Sequence, residues 1–301
     1  MGTLNKLQLM VEKTKSMQTD KFKPDYSKQP RLSLWGDDER GMPNTLIRSP
    51  LFSAAKLKRD RKNLHREKLF TFGSLEVIYT GAQLDQLDED VWSTLIHFAR
   101  LQFNEDKNLN EKIRIDFSLN SFLKKIKRRT GKEQHDWLKS VFARLGATWI
   151  EVKINEQTVM TSLISEIIVD ERTGKHIAFI DRKIIRLYES CFNSYTKIDF
   201  DMRSRLGKNL LAKWLFDHYQ SHKNPYPLKV ETFHRLSGSN NNSMEAFKQK
   251  LCEAHKSLAE IGAITSWGIE NDLVHVEKCS TFNNKNDHLP LKKISEIIGE
   301  K

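Results

Sequence analysis

Apolar residues recur three and four apart along Met244, Phe247, Leu251, Ala254, Leu258 and Ile261, which places them on one side of a helix. The other side carries Glu245, Gln249, Cys252, Lys256 and Glu260, with Lys248 and Lys250 on its flanks, and is free to meet a partner. The polar run from Ser237 to Asn242 supplies a turn before this helix, Asn242 or Ser243 can cap its first amides, and Gly262 closes it. Residues 264–269 and 273–276 then flank Asn271-Asp272 as a hairpin. Upstream, Leu206, Leu210, Trp214 and His218 form one stripe of a helix expected from Arg205 to Tyr219; an extended piece at 225–230 and a short helix at 231–236 follow. Helix, short strand, short helix, turn, long helix and hairpin is the order of a winged helix, a helix-turn-helix variant whose third helix can enter a DNA major groove. A small α+β domain with a merely solvated polar face fits the same pattern.

That order is read a second time between about Leu69 and Arg186. A strand at 75–79 turned by Gly81 leads to a helix from Asp88 to Phe103, with Val91, Leu95, Phe98 and Ala99 on one face. A strand at 112–117 follows, then a helix at 119–129 with Phe122, Leu123 and Ile126 inward. The next helix, 133–145, turns Trp137, Leu138, Val141, Phe142 and Leu145 inward, and strands are expected at 147–154, 159–169 and 176–180. A linking helix at 181–188 and a segment at 193–200 join the two units. No sequence repeat relates them; only the order of elements recurs. The predicted fold class is α+β, two winged-helix domains in tandem preceded by a flexible N-terminal arm. The boundaries are 1–60 for the arm, 61–190 and 191–280 for the domains, and 281–301 for a polar tail. The arm is broken by Pro24, Pro30, Gly36, Gly41, Pro43 and Pro50, and Lys56 to Lys68 reads as a basic, helix-like run. Within it, Leu32, Leu34 and Trp35 of Arg31-Leu-Ser-Leu-Trp35 suit either docking in a partner's groove or latching onto the protein's own surface.

Charge sharpens this picture. The 301 residues carry 50 Lys+Arg against 39 Asp+Glu, a net charge of +11 that favours a polyanionic partner. The densest cationic run, Lys124, Lys125, Lys127, Arg128, Arg129 and Lys132, surrounds the turn before the first unit's long helix, where phosphate contacts give affinity without sequence information. Base reading falls to the long helices. The candidates are Lys132, Gln134, His135 and Lys139 in the first, and Asn242, Ser243, Glu245, Lys248, Gln249 and Lys256 in the second; Gln can pair with adenine and Lys can reach guanine.

Other chemistry finds little support. There is no Gly-x-x-x-x-Gly-Lys-Ser/Thr loop for ATP, no His-hydrophobic-His triplet for a metal-dependent nickase beside Tyr188 or Tyr195, and no third ligand for the His218 and His222 pair. Asp199 and Asp201 flank Phe200 as a nuclease pair would, but such pairs near a linker are commonplace. Cys191, Cys252 and Cys279 form no Cys-x-x-Cys pair, so structural thiols are expected. The chain is read as a non-enzyme needing no metal or cofactor. Lacking an apolar run of about 18 residues and the apolar core of a secretory signal, it is expected in the cytoplasm.

Ser221-His-Lys-Asn-Pro-Tyr-Pro-Leu-Lys-Val-Glu-Thr-Phe233, Asn271-Asp-Leu-Val-His275, Tyr79-Thr-Gly81 and Arg40-Gly-Met-Pro-Asn44 together resemble the TrfA family of plasmid replication initiators, in order and spacing, over nearly all of residues 29–278. The resemblance implies monomers on repeated origin sites called iterons, opening of an AT-rich segment, contact with one exposed strand, and recruitment of the host initiator and replicative helicase. It also implies an inactive homodimer, with dimerisation and DNA contact in the first domain and iteron binding in the second. The family's arm pentapeptide, Gln-Leu-Ser-Leu-Phe, docks on the host sliding clamp, and Arg31-Leu32-Ser33-Leu34-Trp35 occupies that place here. A shifted register, Gln29-Pro-Arg-Leu32-Ser-Leu34, restores the Gln. A transcriptional regulator of the same fold and a strand-nicking initiator are the alternatives.

Overall fold

The computed structural model describes residues 35–57, 61–103, 111–170, 172–189 and 194–279. Gln29, Arg31, Leu32, Ser33, Leu34, Cys191 and the tail expected at 281–301 lie outside the described residues. The chain enters through β1 (Glu39–Pro43), α1 (Asn44–Ile47), β2 (Phe52–Ser53), β3 (Asn63–Leu69), β4 (Leu75–Ala82) and β5 (Leu84–Asp85). The first unit continues with α2 (Gln86–Phe103), β6 (Lys112–Ser118), α3 (Leu119–Lys125), α4 (Lys132–Gly146), β7 (Trp149–Ile154), β8 (Gln157–Thr161), β9 (Glu166–Asp170) and β10 (Lys175–Asp181). A 3-10 helix (Arg182–Tyr188) and β11 (Tyr195–Asp199) lead to α5 (Phe200–Arg205), α6 (Leu210–Gln220), β12 (Leu228–Lys229), α7 (Val230–Leu236), α8 (Met244–Glu260), β13 (Ile264–Glu270) and β14 (Leu273–Lys278).

Two winged helices of one topology result. Each has a three-stranded antiparallel sheet in which the first strand lies beside the last, β6-β10-β9 in one unit and β12-β14-β13 in the other. The periodicities that predicted these elements also orient them. Ile113, Ile115 and Phe117 of β6 are buried on alternate positions. Leu138, Val141, Phe142 and Leu145 turn α4 inward, and Phe247, Leu251, Ala254 and Leu258 do the same for α8. In the second hairpin, Asn271 and Asp272 both take positive φ, 49° and 64°, as a type I′ turn requires.

Four expectations need correction. The single strand expected over 159–169 is two, β8 in one sheet and β9 in another, because Leu163 and Ile164 are adjacent and both buried, which alternation along one strand cannot satisfy. The described part of the Lys56–Lys68 run is not helical: β3 is the edge of a further sheet, β3-β4-β7-β8, with an irregular register around Arg66 (φ 49°). An edge strand that buries little imposes no apolar alternation, so its charges mask it. The helix expected from Arg205 to Tyr219 breaks at Gly207 (φ 57°), and Asn209 restarts it by accepting from the Ala212 amide at 3.1 Å. The restarted α6 is buried on every side rather than along one stripe.

The fourth correction concerns the arm, whose described part is packed rather than flexible. β1 pairs antiparallel with β11, and β2 pairs in parallel with β5. Trp35, Met42, Leu46, Ile47, Leu51 and Phe52 join a core that runs through both units. Trp35, 3% exposed, is a latch: its Nε1 donates to Nδ1 of His97 at 3.1 Å, its ring stacks on Tyr188 at 6.0 Å, and the Arg100 guanidinium lies over it at 5.5 Å. Burial, then the neighbouring Arg40 and Arg100, lowers His97 to about 3, so the imidazole stays neutral and can accept this bond.

Candidate nucleic-acid interface

A capping box at Ser118 and Ser121 starts α3, and the turn after it passes through Lys127 (φ 56°) and Gly131 (φ 141°) before α4 begins at Lys132. The turn divides the cationic run into two classes. Arg128 stacks over Trp137 at 3.7 Å and donates from Nε to Oε1 of Gln134 at 3.0 Å, and Lys127 pairs with Asp201 at 3.0 Å. His135 pairs with Asn120 Oδ1 at 2.7 Å. Arg128, Lys127, Gln134 and His135 thus each have a partner within the protein, which takes Oε1 of Gln134 and Nε2 of His135. Lys125 is half-buried, whereas Lys124, Arg129, Lys132 and Lys139 are exposed with no carboxylate partner among the described residues.

In the second unit, His234 pairs with the Asn241 carbonyl at 2.9 Å, Asn241 Nδ2 donates to Ser239 Oγ at 2.7 Å, and Lys250 Nζ donates to Asn241 Oδ1 at 2.7 Å. Together they fix the turn. Ser243 caps α8 by accepting from the Ala246 amide at 3.3 Å, and its hydroxyl donates to Glu245, a bond that lowers the Glu245 carboxyl. Both residues therefore serve the helix end first. Asn242, Lys248, Gln249 and Lys256 remain exposed with no side-chain hydrogen bond among the described residues. Behind them α8 is held to the wing, since His255 stacks on Trp267 at 5.0 Å and pairs with Tyr219 Oη at 2.7 Å. Burial lowers His255 to about 4.

The two units meet at a buried ionic node that no sequence pattern marked. Arg203 of α5 donates from Nε to Asp217 at 2.7 Å and from Nη2 to Gln86 Oε1 at 2.6 Å, and also binds Asp90; Lys213 Nζ reaches Asp90 Oδ2 at 2.6 Å. Burial, reinforced by Asp217, raises Glu89 well above the carboxylate range, while burial raises Asp217 against the pull of Arg203. Glu89 and Asp217 both belong to this buried cluster. The partners lie up to 123 positions apart in sequence, which is why no local signal found them. A second unmarked feature is a cleft of about 410 Å3 between β3 and the end of α7, lined by Lys62, Gln83 and Arg235 among others.

Among the described residues no group of three His, Cys, Asp or Glu side chains is placed to hold a metal ion, and no helix is long and apolar enough to cross a membrane. His218 stacks on Trp214 at 4.9 Å, and burial, then His222, pushes it well below its usual range. Asp199 caps α5 through the Met202 amide at 2.9 Å, and Asp201 faces Lys127, so both acids have structural partners.

A family model described as TrfA protein matches residues 7–278. The plasmid replication initiator protein TrfA of Escherichia coli is 26% identical over 264 residues, an alignment spanning 83% of this chain and 66% of that protein. The chain thus covers slightly less than two thirds of that relative's length. Two crystal structures of domains 2 and 3 of RctB, one of them a selenomethionine derivative, have TM-scores of 0.51 and 0.50 at 11% and 10% identity. They cover 78% and 80% of this chain and 98% and 99% of their own lengths, a likeness of fold alone.

Proposed function

The chain belongs to the TrfA protein family, and on that premise we propose that it is a plasmid replication initiator. It binds iterons at its origin as a monomer, opens the neighbouring AT-rich segment, holds one exposed strand, and brings in the host initiator, helicase and sliding clamp; a homodimer is its inactive form. The observation that carries this reading is the pair of winged helices of one topology, each with an exposed long helix, on a chain of net charge +11. Lys124, Arg129, Lys132 and Lys139 take phosphates, while Asn242, Lys248, Gln249 and Lys256 face the bases. For the clamp, the register that inserts Trp35 would require its extraction from the core. The register from Gln29 to Leu34 leaves the latch closed and is the one we favour.

With no ATP-binding motif in the sequence, opening draws on binding energy. Specific over non-specific binding yields roughly 4 to 10 kcal/mol per protein, against about 14 kcal/mol for unstacking about ten base steps. One monomer falls short, so several copies on adjacent repeats act together, helped by negative supercoiling and strand capture. The test is replication of a circle carrying the upstream repeats when the protein is supplied in trans, with permanganate footprinting of a one-repeat origin. Replication with no opening at one repeat is expected. Sequence-specific binding without replication in a permissive host would overturn the initiator reading in favour of a regulator. Full opening at a single repeat would overturn the cooperative step.

A further inference from the structure

The cleft between β3 and the end of α7 has the chemistry of a nucleotide site and borders the turn that precedes α8 in the second winged helix. Its volume, about 410 Å3, lies in the range of small-ligand sites, roughly 300 to 1,000 Å3. One wall is fixed. Ser53 Oγ donates to the Gly238 carbonyl and the Ala54 amide to the Ser237 carbonyl, both at 2.7 Å. Gly238 itself, at φ 60°, would bring a Cβ within 3.0 Å of Pro50 and Ser53. The opposite wall is the inner side of β3.

Three kinds of group line this space. Phe70 lies under the Arg235 guanidinium at 3.8 Å; outside the lining, Phe72 meets Phe70 edge-on at 5.4 Å and stands 52% exposed. Lys62 and Arg235 have no carboxylate partner among the described residues, whereas Lys68 is spent on Glu76 at 2.6 Å. The Gln83 amide and the Glu67 carboxylate, both on the lining, have no side-chain hydrogen bond among the described residues, while the Tyr79 hydroxyl is already given to the Ala82 carbonyl. A stacking surface, two unneutralised cations, and one group each able to donate to and accept from a base edge match the parts of a nucleotide. Glu67 would repel a bare polyanion but can accept from the ring imino or amino group of a base. A stacked duplex cannot enter a space of this size; one unpaired nucleotide can.

We propose that this cleft binds a single unpaired nucleotide, its base against Phe70 and Arg235 and its phosphate on Lys62, with the next base of a strand placed on Phe72. The inference rests on the initiator reading for its ligand, an exposed origin strand, but not for its geometry.

The test uses the full chain and fluorescence anisotropy with labelled oligo(dT), in parallel with duplex carrying the upstream repeats. Phe70→Leu keeps an apolar side chain but removes the stacking face, and Lys62→Gln removes one cation at an exposed position. Phe70→Leu should weaken oligo(dT) binding by about fivefold or more, the loss expected of one base stack, and Lys62→Gln should weaken it and flatten its salt dependence, while duplex affinity stays within about twofold in both. Thymidine 5′-monophosphate as competitor separates the two sources of the ligand. Displacement at millimolar levels assigns a free nucleotide, resistance assigns a strand, and either supports the site if the variants behave as stated. Unchanged oligo(dT) binding in both folded variants, or equal losses on duplex and oligo(dT), would overturn it. If wild type ignored the duplex repeats yet bound oligo(dT) with these losses, the initiator reading would fall and the cleft would stand.

Discussion

Gly41→Ala isolates the latch that holds the arm to the body. Gly41 sits on β1 opposite Lys197, and an added Cβ would lie 2.5 Å from Cζ3 and 2.7 Å from Cε3 of Trp35. The indole has nowhere to go, with Tyr188 stacked on it, Tyr195 at 5.8 Å and Arg100 above. Overpacking costs about 1 to 3 kcal/mol when side chains can shift, and ejecting the ring would forfeit most of a large aromatic truncation, about 3 to 5 kcal/mol. We expect a loss of about 2 to 4 kcal/mol for Gly41→Ala. Trp35→Leu lacks the atoms that clash, so in that background the added methyl should cost less than about 1 kcal/mol, leaving a favourable coupling of about 1 to 3 kcal/mol in the double-mutant cycle. Urea unfolding followed by circular dichroism and fluorescence measures all four proteins. Additive costs, or a Gly41→Ala protein within about 0.5 kcal/mol of wild type, would refute the latch. Removing residues 1–34, which stops short of Trp35, should leave stability intact, while a deletion reaching residue 55 should not.

The remaining predictions concern the DNA face and the node. Gln249→Ala should lose about 1 to 3 kcal/mol on the specific site and relax discrimination at one base. Neutralising Arg129 and Lys132 should weaken binding to all sequences and flatten the salt slope; a salt titration of both variants decides whether the roles differ. Burial, reinforced by Asp217, raises the Glu89 carboxyl well above its ordinary range. The folded state therefore holds a proton that the unfolded state releases, and stability falls as pH rises above about 4.5. Glu89→Gln should flatten that slope between about pH 5 and 7 without destabilising at neutrality. Asp217→Asn, which strips a carboxylate from buried Arg203, should cost about 3 to 5 kcal/mol. Denaturation midpoints across that pH range check both.

The periodic elements were legible in the sequence because each has one apolar face and one polar face, so spacing alone declares it. That was enough for α2, β6, α4, α8 and the β13–β14 hairpin, and for the recurrence of one winged-helix order in two units. The exposed candidates Lys124, Arg129, Lys132, Lys248, Gln249 and Lys256 were legible for the same reason, since a face left over after core assignment must meet solvent or a partner. Charge added a polyanion as the expected class of partner, and the short stretches added the family.

What spacing could not supply is which side chains far apart in sequence share a buried space. Trp35 reads equally well as a docking anchor or a latch until His97, Arg100 and Tyr188 are seen around it. Gln134 reads as a base reader until Arg128 takes its amide oxygen, and β3 reads as a charged helix because an edge strand has no face that must be apolar. The node of Arg203, Asp90, Lys213, Asp217 and Glu89 and the cleft at Phe70 and Arg235 belong to the tertiary structure entirely. A local pattern records how one segment divides water from core, whereas partner choice is a distance between segments, and only the closed fold sets those distances.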